Sequence, residues 1–204
     1  MNTFGPDELL DCYRRGVFPM ADSRDDPRVF LMDPDLRGII PLDHLHISRS
    51  LSKFIRKTEL TVTFDKAFAT VISKCAEAAP DRKNTWINAG IEYLYTRLHD
   101  QGNAHSVEVW EDGDLVGGLY GVSIGGAFFG ESMFSRRTNA SKLALVKLVE
   151  RLTQANYTLL DTQFLTDHLQ TMGAIEISRN HYKKLLEKAL AIETSFHLAP
   201  APKS

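Results

Sequence analysis

The sequence predicts an α+β fold, a mostly antiparallel sheet with helices inserted between its strands. Three observations carry this. HSVEVW, LVGGLYGV and AFFGESMF are successive strand-like runs, separated by EDGD and SIGG, which have tight-turn chemistry. NASKLALVKLVERLTQAN follows over 139–156 as an amphipathic helix, with Asn139 in the N-cap position. YTLLDTQF then reads as a buried strand, and SRNHYKKLLEKALA, 178–191, as a closing helix capped by Ser178.

The earlier elements follow in order. PDELLDCYRRG reads as a short helix ending at Gly16. DPR at 26–28 and DPDLRG at 33–38 then break any long element, and five of the eight prolines fall between Pro6 and Pro41. Residues 1–40 are therefore expected to form a small N-terminal subdomain, wrapped on a main domain of residues 41–204. HISRSLSKFIRKT, 46–58, looks helical and places Arg49, Lys53, Arg56 and Lys57 on one basic face. ELTVTFD, 59–65, alternates like a strand. AFATVISKCAEAA and WINAGIEYLYTRLHDQG read as helices, the second stopping at Gly102. The tail HLAPAPKS is expected to be loose.

Bulk properties exclude several classes. The 204 residues suit one ordinary domain, or one plus a small subdomain. A net charge of -2 is not that of a protein coating nucleic acid through bulk charge, although a local basic patch fits. Cys12 and Cys75 have no metal-ligand spacing and form no disulfide framework, which points to small core residues and a reducing cytoplasm. The start of the chain is acidic and interrupted, unlike a signal peptide. No apolar run approaches the roughly 18 residues of a membrane span. Seven of the thirteen glycines lie between Gly113 and Gly130, so backbone there is expected to approach something closely.

Two polar features interrupt apolar strands. Glu131 sits in FFGESMFS among Phe128, Phe129, Met133 and Phe134, where an unpaired charge would cost several kcal/mol. Asp161 and Gln163 follow the apolar YTLL and, by strand alternation, share a face that Thr162 does not. Arg136, Arg137 and Lys142 are available to pair with these carboxylates. His105, at the start of a strand, reads as a hydrogen-bonded structural residue, and His168 as packing. The order of elements fits the acyl-CoA N-acyltransferase (GNAT-like) fold, an analogy of fold alone.

YRRGVFPM, PLDHLHISRSL, TWI, HSVEVW, LVGGLYGV, FFGESMFS, NASKLAL, LLDTQF and HLQTMGAIEISR occur in this order. Together they resemble the leucyl/phenylalanyl-tRNA–protein transferase family, over about Leu9 to Tyr182. The resemblance implies a bacterial N-end-rule aminoacyltransferase that needs neither metal nor acetyl-CoA. It would move Leu or Phe, and less well Met, from Leu-tRNA or Phe-tRNA to the α-amino group of proteins beginning with Arg or Lys. It also implies a GNAT-like C-terminal domain, a small N-terminal domain, and a chain beginning later than in longer members.

By resemblance, Asp161 and Gln163 match the catalytic D-x-Q pair and Glu131 the GES glutamate. Gln163 would orient the amine while Asp161 polarises Gln163 or takes the proton. Leu119, Phe128, Leu145, Leu148, Leu152 and Leu160 correspond to the pocket for the aminoacyl side chain. Tyr13, Trp86 and Tyr95 correspond to aromatic groups on the terminal adenosine of the tRNA, with Met20 where a tryptophan is usual. The basic face of Arg49, Lys53, Arg56 and Lys57 suits the tRNA acceptor stem.

Two readings compete. An acetyl-CoA-dependent N-acetyltransferase would need a glycine-bearing pyrophosphate loop, Q/R-x-x-G-x-G/A, where this chain has RRTNASK. A non-enzymatic RNA-binding module would give no reason for Glu131 and Asp161 beside apolar walls.

Overall fold

A computed structural model describes residues 4–77 and 85–198. The expected meander is its centre. β5 (Ala104–Glu111), β6 (Asp114–Ile124) and β7 (Ala127–Ser135) pair antiparallel through two tight turns. Gly113 and Gly125 take positive φ in those turns, which only glycine adopts cheaply. β4 (Thr61–Phe64) adds to one side of the meander. On the other side lie β8 (Leu159–Gln163), β3 (Leu36–Ile40) and β9 (Ile175–Ser178). The seven-stranded order is β4-β5-β6-β7-β8-β3-β9. β7 and β8 run parallel, and every other neighbouring pair runs antiparallel. A separate hairpin pairs β1 (Phe18–Met20) with β2 (Phe30–Met32).

Apolar side chains on both faces of the sheet are covered by helices. One cluster joins α1 (Pro6–Arg14), α3 (Phe68–Ala76), α4 (Ala89–Asp100) and α7 (Arg179–Leu190) through Leu9, Phe68, Ile91 and Leu186. The other joins α2 (Arg49–Lys57) and α5 (Ala140–Gln154) through Leu51, Leu143 and Leu148, with Phe196 from the C-terminal segment. A five-residue helix, α6 (Asp167–Thr171), precedes β9.

The division expected after residue 40 follows β3, which lies inside the large sheet. Several other expectations need correction. β3 and β9 escaped the sequence reading because both are short and pair with distant segments. Asn139 holds the N-cap position of α5 but is left-handed and makes no side-chain cap; Ser135 Oγ accepts from Ser141 N–H at 3.2 Å instead. α4 begins at Ala89, after Asn88 caps Ile91 N–H at 2.9 Å, rather than at Trp86. The glycines of β6 serve packing: a Cβ on Gly117 would meet the Ala140 Cβ at 2.5 Å, so they let α5 and the neighbouring strand close on β6. His197, which opens the tail expected to be loose, faces Asp65 at 3.0 Å. The expected end of α3 at Ala78 and Ala79, and the tail past Leu198, lie outside the described residues.

Candidate active site

The parallel pair sets the site's position. β7 and β8 are in register at Ala127↔Leu159, Phe128↔Leu160 and Phe129↔Asp161, and pair no further. Beyond that point the strands diverge, and a cavity of about 290 Å³ opens between Gly130–Met133 on one side and Thr162–Phe164 on the other. Leu119, Leu145, Leu148 and Leu160 make its apolar wall, while Met20 and Trp86 stand at another side. Of the expected side-chain pocket, Phe128 and Leu152 do not reach it; both are fully buried in the core. His168, read as packing, does line the cavity, and burial together with Lys142 holds its imidazole below the usual range.

Glu131 projects into this cavity with three donors on its carboxylate. Tyr13 O–H donates to Oε1 at 2.7 Å, Gln163 Nε2 to the same oxygen at 3.1 Å, and Tyr95 O–H to Oε2 at 3.0 Å. The two tyrosine hydroxyls also contact each other; with one proton apiece, the one that donates to its neighbour cannot donate to Glu131 at the same time. Burial pushes the Glu131 carboxyl up to about 7, against the downward pull of the Tyr13 and Tyr95 hydroxyls. The negative charge of Asp161 adds to the rise and Arg37 opposes it. Tyr13 and Tyr95 are themselves held well above the ordinary tyrosine range by burial and by Glu131, so they remain donors. Both rings are fully buried, and their hydroxyls reach Glu131.

Asp161 and Gln163 do not share a face as alternation predicts. Gln163 has φ of 57°, a left-handed residue at the end of β8, which breaks the extended repeat. Thr162 and Gln163 both line the cavity, whereas Asp161 lies wholly buried behind it. Its carboxylate receives Arg37 Nε at 2.9 Å and Nη2 at 2.6 Å, Tyr182 O–H at 2.6 Å and the Gln163 backbone N–H at 2.8 Å. Asp161 therefore grips the main chain of Gln163 and does not touch its side-chain amide.

Arg37 is the partner that sequence reasoning missed. It is 1% exposed, stacked between the rings of Phe18 and Tyr182 at 4.5 Å from each centroid, and donates from Nη1 to Gly16 O at 3.0 Å. Burial alone would lower its guanidinium; the adjacent Asp161 outweighs that and holds it above the ordinary arginine value. Of the cations nominated from sequence, Arg136 pairs with Glu77 and Arg137 with Glu111 at 3.1 Å, while Lys142 acts on His168. Arg49, Lys53, Arg56 and Lys57 are exposed along α2, and Lys53 and Lys57 border a second cavity that Arg137 also lines.

An apolar cavity between diverging strands, with a carboxylate tuned near neutrality on its lining, is the kind of site a group-transfer enzyme holds. The chain belongs to the leucyl/phenylalanyl-tRNA–protein transferase family. The family model described as leucyl/phenylalanyl-tRNA protein transferase matches residues 39–187, and that of its N-terminal domain matches residues 2–35. A relative of that name from Maricaulis maris is 58% identical over 200 residues, covering 98% of this chain and 93% of its own length. Another, from Hyphomonas neptunium, is 59% identical over 194 residues, covering 95% and 75%. Among solved structures, L-PGS from Bacillus licheniformis overlays with a TM-score of 0.42 at 14% identity, covering 80% of this chain and 55% of that one. A tandem GNAT protein from the clavulanic acid biosynthesis pathway overlays at 0.37 and 10% identity, covering 87% and 60%.

Proposed function

We propose that this protein transfers the leucyl or phenylalanyl group, and less well methionyl, from aminoacyl-tRNA to the α-amino group of cytoplasmic proteins that begin with Arg or Lys, marking them for N-end-rule degradation. The carrying observation is Glu131, a carboxylate near neutral pKa on the lining of a cavity with an apolar wall.

The reaction is aminolysis of an ester. The α-amine attacks the aminoacyl carbonyl carbon, the bond from that carbon to the ribose oxygen breaks, and a proton passes from the nitrogen by way of Glu131 to the departing ribose oxygen. A protein α-ammonium has a pKa of roughly 7.7–8.0. A carboxylate near 7 is matched to it within about one unit, which corresponds to about 1 kcal/mol. Proton transfer from the α-ammonium to Glu131, which frees the amine to attack, is therefore close to thermoneutral, the condition under which a general base is most useful at pH 7. Gln163, with its Nε2 committed to Glu131, turns its carbonyl oxygen to the amine. Asp161 and Arg37 are positioning residues that fix the turn at Gln163.

Leu119, Leu145, Leu148 and Leu160 receive the apolar aminoacyl side chain. Trp86 and Met20 flank the terminal adenosine, and the α2 face of Arg49, Lys53, Arg56 and Lys57 meets the acceptor stem. A CoA reading is disfavoured because the segment leading into α5, RRTNASK, has none of the glycines that let backbone N–H groups cradle pyrophosphate.

The test is transfer of radiolabelled leucine from Leu-tRNA to a peptide beginning with Arg, beside one beginning with Ala. Label is expected on the Arg peptide alone and lost in Glu131→Ala. Transfer to both peptides, or full activity in Glu131→Ala, would overturn this reading.

A further inference from the structure

We infer that Asp65, His105 and His197 form a divalent transition-metal site, of the zinc class, which latches the C-terminal segment to the sheet. The site is remote in role from the cavity and does not rest on the transfer reaction.

One carboxylate gathers two imidazoles. Asp65 Oδ2 lies 2.7 Å from His105 Nδ1 and 3.0 Å from His197 Nε2, while His99 Nδ1, 3.8 Å from Asp65 Oδ1, bonds instead to Ala104 O at 2.8 Å. The Asp65, His105 and His197 donor atoms all fall within 4.8 Å of one another. Two nitrogens and one oxygen are a donor set that zinc and its neighbours in the series favour. Bonds of about 2.1 Å put tetrahedral ligands about 3.4 Å apart. The short Asp65–His105 and Asp65–His197 contacts need to widen only slightly, and His197, 61% exposed, is free to swing inward.

The surroundings hold the ligands as a metal site requires. Asp65 sits at φ of 57°, and its Oδ1 accepts Ser106 N–H at 2.7 Å. The buried His105 ring stacks on Phe196 at 4.2 Å, and the His99 ring on Phe68 at 4.3 Å. Such second contacts fix ring orientation and leave the ligating nitrogen aimed. Phe196 is itself packed with Phe64 and Phe128, so a metal joining His197 to Asp65 closes the segment over its own anchor.

The experiment uses the full chain without a polyhistidine tag, titrated with zinc chloride by calorimetry and with cobalt(II) by visible absorption. One ion per chain with micromolar Kd and tetrahedral cobalt bands is expected. His197→Ala, at an exposed position that leaves the fold intact, should weaken zinc binding at least tenfold. Zinc in about hundredfold excess over Kd should raise the melting temperature of the parent but not of the variant. Absence of binding up to millimolar zinc, or equal binding by His197→Ala, would overturn the inference.

Discussion

Tyr13→Phe removes one hydroxyl and nothing else from the site. That hydroxyl donates to Glu131 Oε1 at 2.7 Å, and Tyr95 remains on Oε2 at 3.0 Å. A hydrogen bond to a charged group contributes about 1.5–3 kcal/mol net. At 1.36 kcal/mol per pKa unit, its loss raises the Glu131 carboxyl by about one to two units, from about 7 to about 8–9. The sign is fixed: Glu131 is neutral below its pKa, a donor that favours the carboxylate lowers that pKa, and removing the donor raises it. The ionised fraction at pH 7 then falls from about one half to about 1–10%, a rate loss of about five- to fiftyfold that recovers above pH 9. The assay is kcat/KM for leucyl transfer to an Arg peptide from pH 5.5 to 9.5 in steps of about half a unit. The peptide's own amine titrates identically with both enzymes, so the displacement between the two curves reports Glu131. An acidic limb that stays in place, with activity lowered equally at every pH, would refute Glu131 as the base.

Other outcomes follow from the same geometry. Arg37→Met leaves Asp161 buried without its counter-ion and should cost about 3–5 kcal/mol in denaturant unfolding. Pairing it with Asp161→Leu should recover most of that stability without restoring transfer. Burial lifts the Glu131 carboxyl from 4.5 to about 7, so the folded protein loses stability as pH rises through that window. Glu131→Gln should therefore gain up to about 3 kcal/mol over the parent at pH 8 and little at pH 4, read by thermal melts at the two pH values. Trp86→Ala should raise KM for Leu-tRNA by about five- to a hundred-and-fiftyfold with little change in kcat, the worth of one base stacked on an aromatic ring.

The meander could be read from sequence because its pairing is local: EDGD and SIGG are turns whose residues state their own conformation. Glu131 and Asp161 stood out because a charge inside an apolar run has few explanations. Arg37 did not. An arginine in DPDLRG reads as one more polar residue of a turn-rich stretch, and its partner lies 124 residues away. The hydroxyl contacts of Tyr13 and Tyr95 with Glu131 were not legible either, since a sequence shows an aromatic ring but not whether its face or its hydroxyl meets the site. The shared face of Asp161 and Gln163 failed for a different reason. Period-two alternation assumes extended backbone, and Gln163 is left-handed.

The Arg37–Asp161 bridge also sets a clock on the ribosome. At a synthesis rate of roughly 5–20 residues per second, the 124 residues between the partners take roughly 6–25 seconds to emerge. Tyr182 arrives 21 residues after Asp161. Until Asp161 and Gln163 emerge, the guanidinium has no counter-charge and Glu131 has no Gln163 beside it, while the Tyr13 donor was made 118 residues before Glu131. The nascent chain thus carries Tyr13 and Arg37 without their partners until β7 and β8 are made. Activity begins only when β8 and α7 fold back onto α1 and β3.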